Sequence, residues 1–337
     1  MTHVLAVRLD NDGDVLLAGP AIRALAAGAG RVTLLHGPRG ARAAAMLPGV
    51  DATVQWRAPW IDPEPEPVAR GEIDAVVDRV AGLDVDVAVI FGSFHQSPLP
   101  TALLLRMAGV PFIAATSSDY PGALLDVRHR ISDDVHEVER ALDLAAAAGF
   151  PLPPGDDVRL RVHAAPLPDE EVDVVVHPGA SVPARAWAPE RNAELVDALV
   201  AAGRHVTVTG GPDEAALTAR VAGGHPADRV RDLGGRTTLP ELAGVLAAAS
   251  TVVVGNTGPA HLAAAVGTSV VSLFAPTVPP VRWRPWRVPH ELLYLDVPCA
   301  GCRAHVCPVE GHPCLGGLEV SSVLAAVERL APVAVAA

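Results

Sequence analysis

Three carboxylates crowd one short turn, Arg8-Leu9-Asp10-Asn11-Asp12-Gly13-Asp14, between the apolar run VLAVRL and the apolar stretch VLLAGPAIRAL. Alternate Asp residues suggest a calcium loop. The sixth position is Val15 where such a loop needs Gly, and no Glu stands at the twelfth, so calcium is rejected. The turn also lacks G-x-G-x-x-G, and acids at a helix start repel a pyrophosphate, which disfavours a nicotinamide cofactor. An Asp at such a turn can accept a proton from a substrate hydroxyl within about 3 Å and so contribute roughly 10²- to 10⁴-fold in rate. Asp14 suits that task. Capping the following helix is its competing role.

Three further segments offer groups for an anion. His177-Pro178-Gly179-Ala180-Ser181 follows a strand-like run and leads through Arg185 and Trp187 to a helix near Pro189. Gly179 and Ser181 could bring backbone amides to phosphate oxygens, with Arg185 completing a bidentate clamp; an ordinary turn with a solvated Arg is the alternative. In Gly210-Gly211-Pro212-Asp213-Glu214 a carboxylate at a strand-to-helix turn could bond ribose hydroxyls or simply favour the helix dipole. The block Gly255-Asn256-Thr257-Gly258-Pro259-Ala260-His261 ends one strand and opens a helix with Pro in its first turn. Asn256, Thr257 and the Gly258 amide would face an anion there, while His261 would either point at it or pack in the core.

All four cysteines fall between Cys299 and Cys314, in the order Cys299, Cys302, Cys307, Cys314, near His305. The C-x₂-C start with further Cys and His permits a zinc or iron–sulfur site, but reduced thiols without metal are the preferred expectation. The 337 residues carry a net charge of −12 with no basic block, which offers no footprint for nucleic acid. Every basic residue is Arg, so an anion site must use guanidinium, His or backbone amides. The start of the chain has neither a signal peptide nor a span of about twenty apolar residues. A cytoplasmic protein is expected, with room for peripheral association with a membrane.

The elements that must position these groups alternate. VLAVRL, VTLL at 32–35, VDVAVIF at 85–91 and PFIAA at 111–115 read as buried parallel strands, and the rhythm resumes with VDVVVHPG at 172–179, HVTVTGG at 205–211, TVVVGNTG at 251–258 and SVVSLF at 269–274. This is an α/β chain of two doubly wound domains. The Pro- and charge-rich stretch 151–171 suits their connection and puts the division at 1–155 and 156–337, whereas DPEPEP at 62–67 is an exposed loop of the first domain. Ligands of parallel sheets bind beyond the carboxyl ends of the strands, so the cleft between two facing domains is the expected site.

Taken together, VLAVRLDNDGDVLLAGPAIRAL, the His177 to Trp187 segment, the Glu214 turn and VVVGNTGPAHLAAAVGTSVVSLFAPT resemble glycosyltransferase family 9, the ADP-heptose-dependent heptosyltransferases of bacterial lipopolysaccharide assembly. The likeness spans nearly the whole chain. It implies the GT-B fold of two facing Rossmann-like domains, with inversion at the anomeric carbon in one displacement and no tightly bound metal. Asp14 matches the family's general base. Arg185 stands where the family usually has a phosphate-binding Lys before the Trp. Glu214 matches the acid that contacts ribose, and Thr257, Gly258 and His261 match the diphosphate-binding helix start. Asn256 departs from the family, many members of which carry an Asp there that contacts the donor sugar.

The expectation is therefore an inverting glycosyltransferase. Its amino-terminal domain binds a glycan, lipid-linked or small-molecule acceptor, and its carboxyl-terminal domain binds a nucleotide-sugar, with ADP-heptose as the preferred donor. The alternatives are another GT-B enzyme using a UDP- or GDP-sugar and a non-catalytic regulator that binds nucleotide or sugar.

Overall fold

In the computed structural model, which describes residues 1–166 and 172–332, the chain divides into two compact units, Met1–His163 and Ala164–Ala337. The first holds strands β1 (His3–Arg8), β2 (Arg31–His36), β3 (Ala52–Gln55), β4 (Val87–Ile90), β5 (Phe112–Thr116) and β6 (Val127–His129). The second holds β7 (Val172–His177), β8 (Val206–Val208), β9 (Val230–Asp232), β10 (Ala249–Gly255), β11 (Ser269–Leu273) and β12 (His290–Leu293). The sheet orders are β3-β2-β1-β4-β5-β6 and β12-β11-β10-β7-β8-β9. Both are parallel throughout, and counted from each unit's own first strand they are the same order.

Central strands of such sheets are covered by helices on both faces, and their residues show it: all six positions of β1 are buried, as are Val174, Val175 and Val176 of β7. Order reverses between β1 and β4 in the first unit and between β7 and β10 in the second. The loops leaving these strands diverge to opposite faces of the sheet and open a crevice, which is where such sheets bind ligands. The opposite, amino-terminal ends of the second sheet's strands are tied together. Arg204, before β8, makes paired bonds of 2.9 and 2.7 Å to Asp173 of β7 and one of 2.7 Å to the Ala331 carbonyl after the last helix.

The eight strands legible from apolar runs are all present. The remaining four, β3, β6, β9 and β12, have three or four residues each and lie at or next to sheet edges, where half-buried positions need no continuous apolar run.

Composition put the division of the chain near residue 155, but residues 156–163 pack on the first unit. Arg23 donates to both carboxylate oxygens of Asp156 at 2.8 Å and to the Arg159 carbonyl at 2.9 Å, and the His163 amide bonds the Met46 carbonyl at 2.9 Å. The connecting stretch continues through Leu167–Glu171, which lie outside the described residues.

The Arg23 guanidinium holds the Asp156 carboxyl down at about 2. Because the folded value lies below the ordinary one, the stabilisation is present above about pH 4 and is lost as pH falls through about 2. Asp156→Asn should therefore cost about 1–2 kcal/mol at neutral pH, solvent screening limiting the effect. Urea unfolding of the two proteins should give that gap at pH 7 and a vanishing one at pH 2; an equal gap at both would separate the effect from ionisation.

Candidate active site

The first unit's groups collect beyond the carboxyl ends of β1 and β4. Arg8, the last residue of β1, is only 4% exposed, and its guanidinium organises the turn. Its Nη2 donates to Asp14 Oδ1 at 3.0 Å and to Ser93 Oγ, in the loop after β4, at 2.9 Å. Its Nε lies 2.9 Å from Asp10 Oδ2, an ion pair without hydrogen-bond alignment. Gln96 donates to the other oxygen of Asp10 and accepts from the Ser93 amide at 2.9 Å.

The three carboxylates thus have three different surroundings. Asp10 is largely buried, which pushes its carboxyl up; Arg8 pulls the other way, and Asp14 adds to the rise. Asp12 is buried too, its oxygens taken by Arg42 at 2.8 Å and the Ala43 amide at 3.0 Å, which fixes the helix Asp12–Leu17 against the helix Ala41–Ala44. Asp14 is the most solvent-exposed of the three, its side chain 19% exposed against 8% for Asp10 and 11% for Asp12. It does not cap the helix: Asn11 occupies the cap position and Asp14 lies within the first turn. Gly37 is required by close approach, since a Cβ there would fall 2.2 Å from the Leu9 carbonyl oxygen that precedes Asp10.

The second unit's groups collect beyond β7 and β10. His177, at the end of β7, is buried, bonds Thr209 Oγ1 at 3.0 Å and has Glu214 3.9 Å away. Burial lowers its affinity for a proton, and Glu214 only partly offsets this. Glu214 is half-buried; its Oε2 accepts from the Gly211 amide at 2.7 Å, and its carboxylate lies against Gly179 so closely that a Cβ there would fall 2.0 Å from Oε1. Ser181 is exposed on the following loop. Arg185 ends the short 3₁₀ turn Pro183–Arg185 and is half-buried; two residues on, Trp187 is buried and donates to the Leu315 carbonyl at 3.1 Å.

The helix Gly258–Val266 starts beyond β10 with Pro in its first turn, and Thr257 occupies its N-cap without using its side chain as the cap. Thr257 and Gly258 are half-buried at this end, whereas His261 is buried on the helix. Gly255 lies against the preceding loop, a Cβ there falling 2.9 Å from the Arg185 carbonyl oxygen, so the Arg185 turn and the helix start share one backbone contact.

Asn256 stands apart from its expected place toward an anion. It is buried, its Nδ2 donates to the Ala275 carbonyl at 3.2 Å, and its Oδ1 accepts from the Ala275 amide at 3.1 Å. The side chain thereby joins the loops leaving β10 and β11. An amide is the side chain that can both donate to and accept from one residue's backbone, which a carboxylate cannot do.

All four cysteines are free thiols lining one small pocket with Ala184, Pro276, Thr277 and His312. Burial raises the Cys314 thiol above its usual range, and the neighbouring thiols add to the effect. Among the described residues, no three His, Cys, Asp or Glu side chains are arranged to hold a metal ion, and no helix is long and apolar enough to cross a membrane.

Sequence reasoning singled out Asp14 and missed the groups around it. Arg8 read as part of a strand, and Ser93 and Gln96 lie in a loop with no motif. The signal for them is topological: the strand whose loop faces that of β1 is β4.

Known proteins resemble this chain in sequence and in fold. Lipopolysaccharide heptosyltransferase 3 of Escherichia coli is 36% identical over 115 residues, 34% of this chain and 34% of that protein, so the alignment spans about a third of the relative's length. A glycosyltransferase family 9 structure from Veillonella parvula superposes with a TM-score of 0.79 at 16% identity, covering 98% of this chain and 97% of that one. The Escherichia coli heptosyltransferase WaaC, solved with ADP-2-deoxy-2-fluoro heptose, gives 0.72 at 21% identity, with 97% and 99% covered. These likenesses show the fold, GT-B, built of two Rossmann-like units. The family model "Glycosyltransferase family 9 (heptosyltransferase)" matches residues 95–312, well over half of the chain, and the chain belongs to that family.

Proposed function

We propose that this chain is an inverting glycosyltransferase that moves a sugar, a heptose carried on ADP by preference, from a nucleotide-diphospho-sugar to an acceptor hydroxyl. The observation that carries the proposal is the sorting of charge between the two crevices: a solvent-touching carboxylate in the first, and an Arg turn beside a helix start in the second.

In the first unit, the one for the acceptor, Asp14 takes the proton of the attacking hydroxyl. Arg8 holds its Oδ1 and so fixes the direction of the carboxylate. The acceptor oxygen displaces the nucleoside diphosphate from the anomeric carbon, inverting its configuration. The second unit holds the leaving group. Glu214 covers Gly179 and would repel phosphate there, which suits it to the ribose hydroxyls. The diphosphate then falls to Arg185, Thr257 and the Gly258 amide at the start of a nine-residue helix, whose dipole stabilises the charge that develops on departure. Ser181 lies on the loop between these groups, and His261 and Asn256 support the helix start from within. The donor sugar in this chain would be recognised by groups other than Asn256, whose amide is engaged with Ala275. No cofactor is required by this chemistry, which suits a cytoplasmic enzyme working on a glycan, a lipid-linked sugar or a small molecule.

Incubation with ADP-heptose and a panel of glycan acceptors, read by mass spectrometry and NMR of the product, should show one added heptose with inverted anomeric configuration. Retention of configuration would contradict single displacement, and transfer from UDP- or GDP-sugars instead would replace the donor.

Gly179→Ala gives a finer test. The new methyl must displace the Glu214 carboxylate, the flexible partner, so the unit should still fold while nucleotide affinity drops about tenfold, the worth of one charged hydrogen bond. Calorimetry should show that loss for ADP and none for pyrophosphate. Equal loss for both would remove Glu214 from ribose recognition.

A further inference from the structure

We propose that Cys299, Cys302, Cys307 and Cys314 bind one divalent transition-metal ion of the zinc or ferrous class through four thiolates. The site is structural, and it pins the segment that backs the Arg185 turn.

Every cysteine of the chain lies in this one segment, and all four line the same pocket. The rest of the wall is mainly apolar, including Pro276, Val297 and Pro308. The donor set is therefore sulfur, and four sulfurs select tetrahedral zinc or iron rather than magnesium, calcium or manganese. His312 also lines the pocket, its Nε2 donating to the Ala184 carbonyl at 3.0 Å, and the four thiolates make a complete tetrahedral set without it.

The backbone needs such a staple. Between β12 and the helix Val320–Leu330, the regular structure is the four-residue helix Pro313–Gly316. Gly301, Arg303, Gly311 and His312 all have positive φ, and for the two non-glycine residues that conformation costs of order 1 kcal/mol or more each. Val306 and Val309 are exposed and add nothing to a core. Cys314, Leu315 and Leu318 anchor the end of the segment in the core, but no residue from 299 to 313 is buried; such stretches are commonly held by disulfides or a metal, and these cysteines are not paired with one another.

The thiols do not yet converge on one point. Metal binding at the roughly 2.3 Å ligand distance therefore requires the thiols to turn about their Cα–Cβ bonds and the irregular segment carrying Cys299, Cys302 and Cys307 to close on Cys314. Each thiol loses its proton to solvent on binding, and the ion keeps its oxidation state, so no other reactant is needed. The consequence reaches the candidate active site through the backbone. The Ala184 amide, next to Arg185, donates to the His305 carbonyl at 2.9 Å, and the Gly301 and Arg303 amides donate to the Pro276 and Thr277 carbonyls at 2.7 and 3.0 Å.

The test is elemental analysis of the full chain, purified with reductant and without chelator from cells grown with added zinc and iron. About one equivalent of zinc or iron per chain is expected, the analysis itself deciding which. Cobalt(II) added to the stripped protein should give an intense thiolate-to-metal charge-transfer band. Cys302→Ser, at an exposed position where the change leaves packing intact, and the double variant Cys302→Ser/Cys307→Ser should lose most of the metal and become more open to proteolysis within 299–314. The proposal is overturned if the native chain holds no zinc or iron and takes up no cobalt. It is equally overturned if the double variant keeps its metal, or if the four cysteines are recovered as disulfides. None of these readouts depends on transferase activity.

Discussion

Asp14→Asn is expected to lower turnover by about 10²- to 10⁴-fold while leaving nucleotide affinity unchanged, because the substitution removes a proton acceptor and keeps the shape of the side chain. The folded state should also tolerate it. Asp14 is the most exposed of the three carboxylates, and an amide oxygen still accepts the 3.0 Å bond from Arg8. Asp10 and Asp12 serve as internal controls. Asp12 is committed to Arg42 and the Ala43 amide, so Asp12→Asn should lower stability with a much smaller effect on the chemical step. Single-turnover rates with saturating donor distinguish the two kinds of loss. Full turnover in Asp14→Asn would remove Asp14 from the mechanism.

The second large effect is on stability. Arg8→Met should cost about 3–5 kcal/mol at neutral pH, since a buried guanidinium that serves two carboxylates leaves them facing each other without a counter-charge. The pH dependence has a definite sign. Burial already pushes the Asp10 carboxyl up, and loss of Arg8 removes the group that pulls it down. A carboxyl whose folded value is raised destabilises the folded state above that value and is relieved as pH falls through it. Arg8→Met should therefore be less destabilised near pH 5 than near pH 8 in denaturant unfolding. Adding Asp10→Asn should recover part of the loss. A pH-independent penalty would mean that packing of the side chain, not its charge, holds the turn.

How much of this was legible beforehand follows from what each residue does locally. Strands buried on both faces advertise themselves as apolar runs, so the eight central ones and the doubly wound class could be read directly. Short edge strands such as β6 and β9 carry no such run. The glycine-rich turns at 179, 210–211 and 255–258 were legible because close approach of backbone to neighbour demands them, and Gly179 and Gly255 do meet Glu214 and Arg185. What could not be read is any contact between loops distant in the chain. Arg8 reaches Ser93, and Asn256 reaches Ala275, because sheet order brings their strands side by side. Asn256 is the clearest case: its type suited a ligand contact, and the neighbouring loop turned it into a tie between β10 and β11. The division of the chain falls at 163/164, within the Pro- and charge-rich stretch 151–171, and its exact place depends on a contact distant in the chain, the hold of Arg23 on Asp156.

The central claim is that the second unit holds the diphosphate and ribose of an adenine nucleotide-sugar, and calorimetric titration of the whole protein with ADP, UDP, GDP and NAD tests it most directly. ADP is expected to bind in preference to the others, with affinity weakened by Arg185→Ala and by Gly179→Ala. Preference for UDP or GDP would contradict the choice of donor, and absence of any nucleotide binding would contradict the transferase proposal itself.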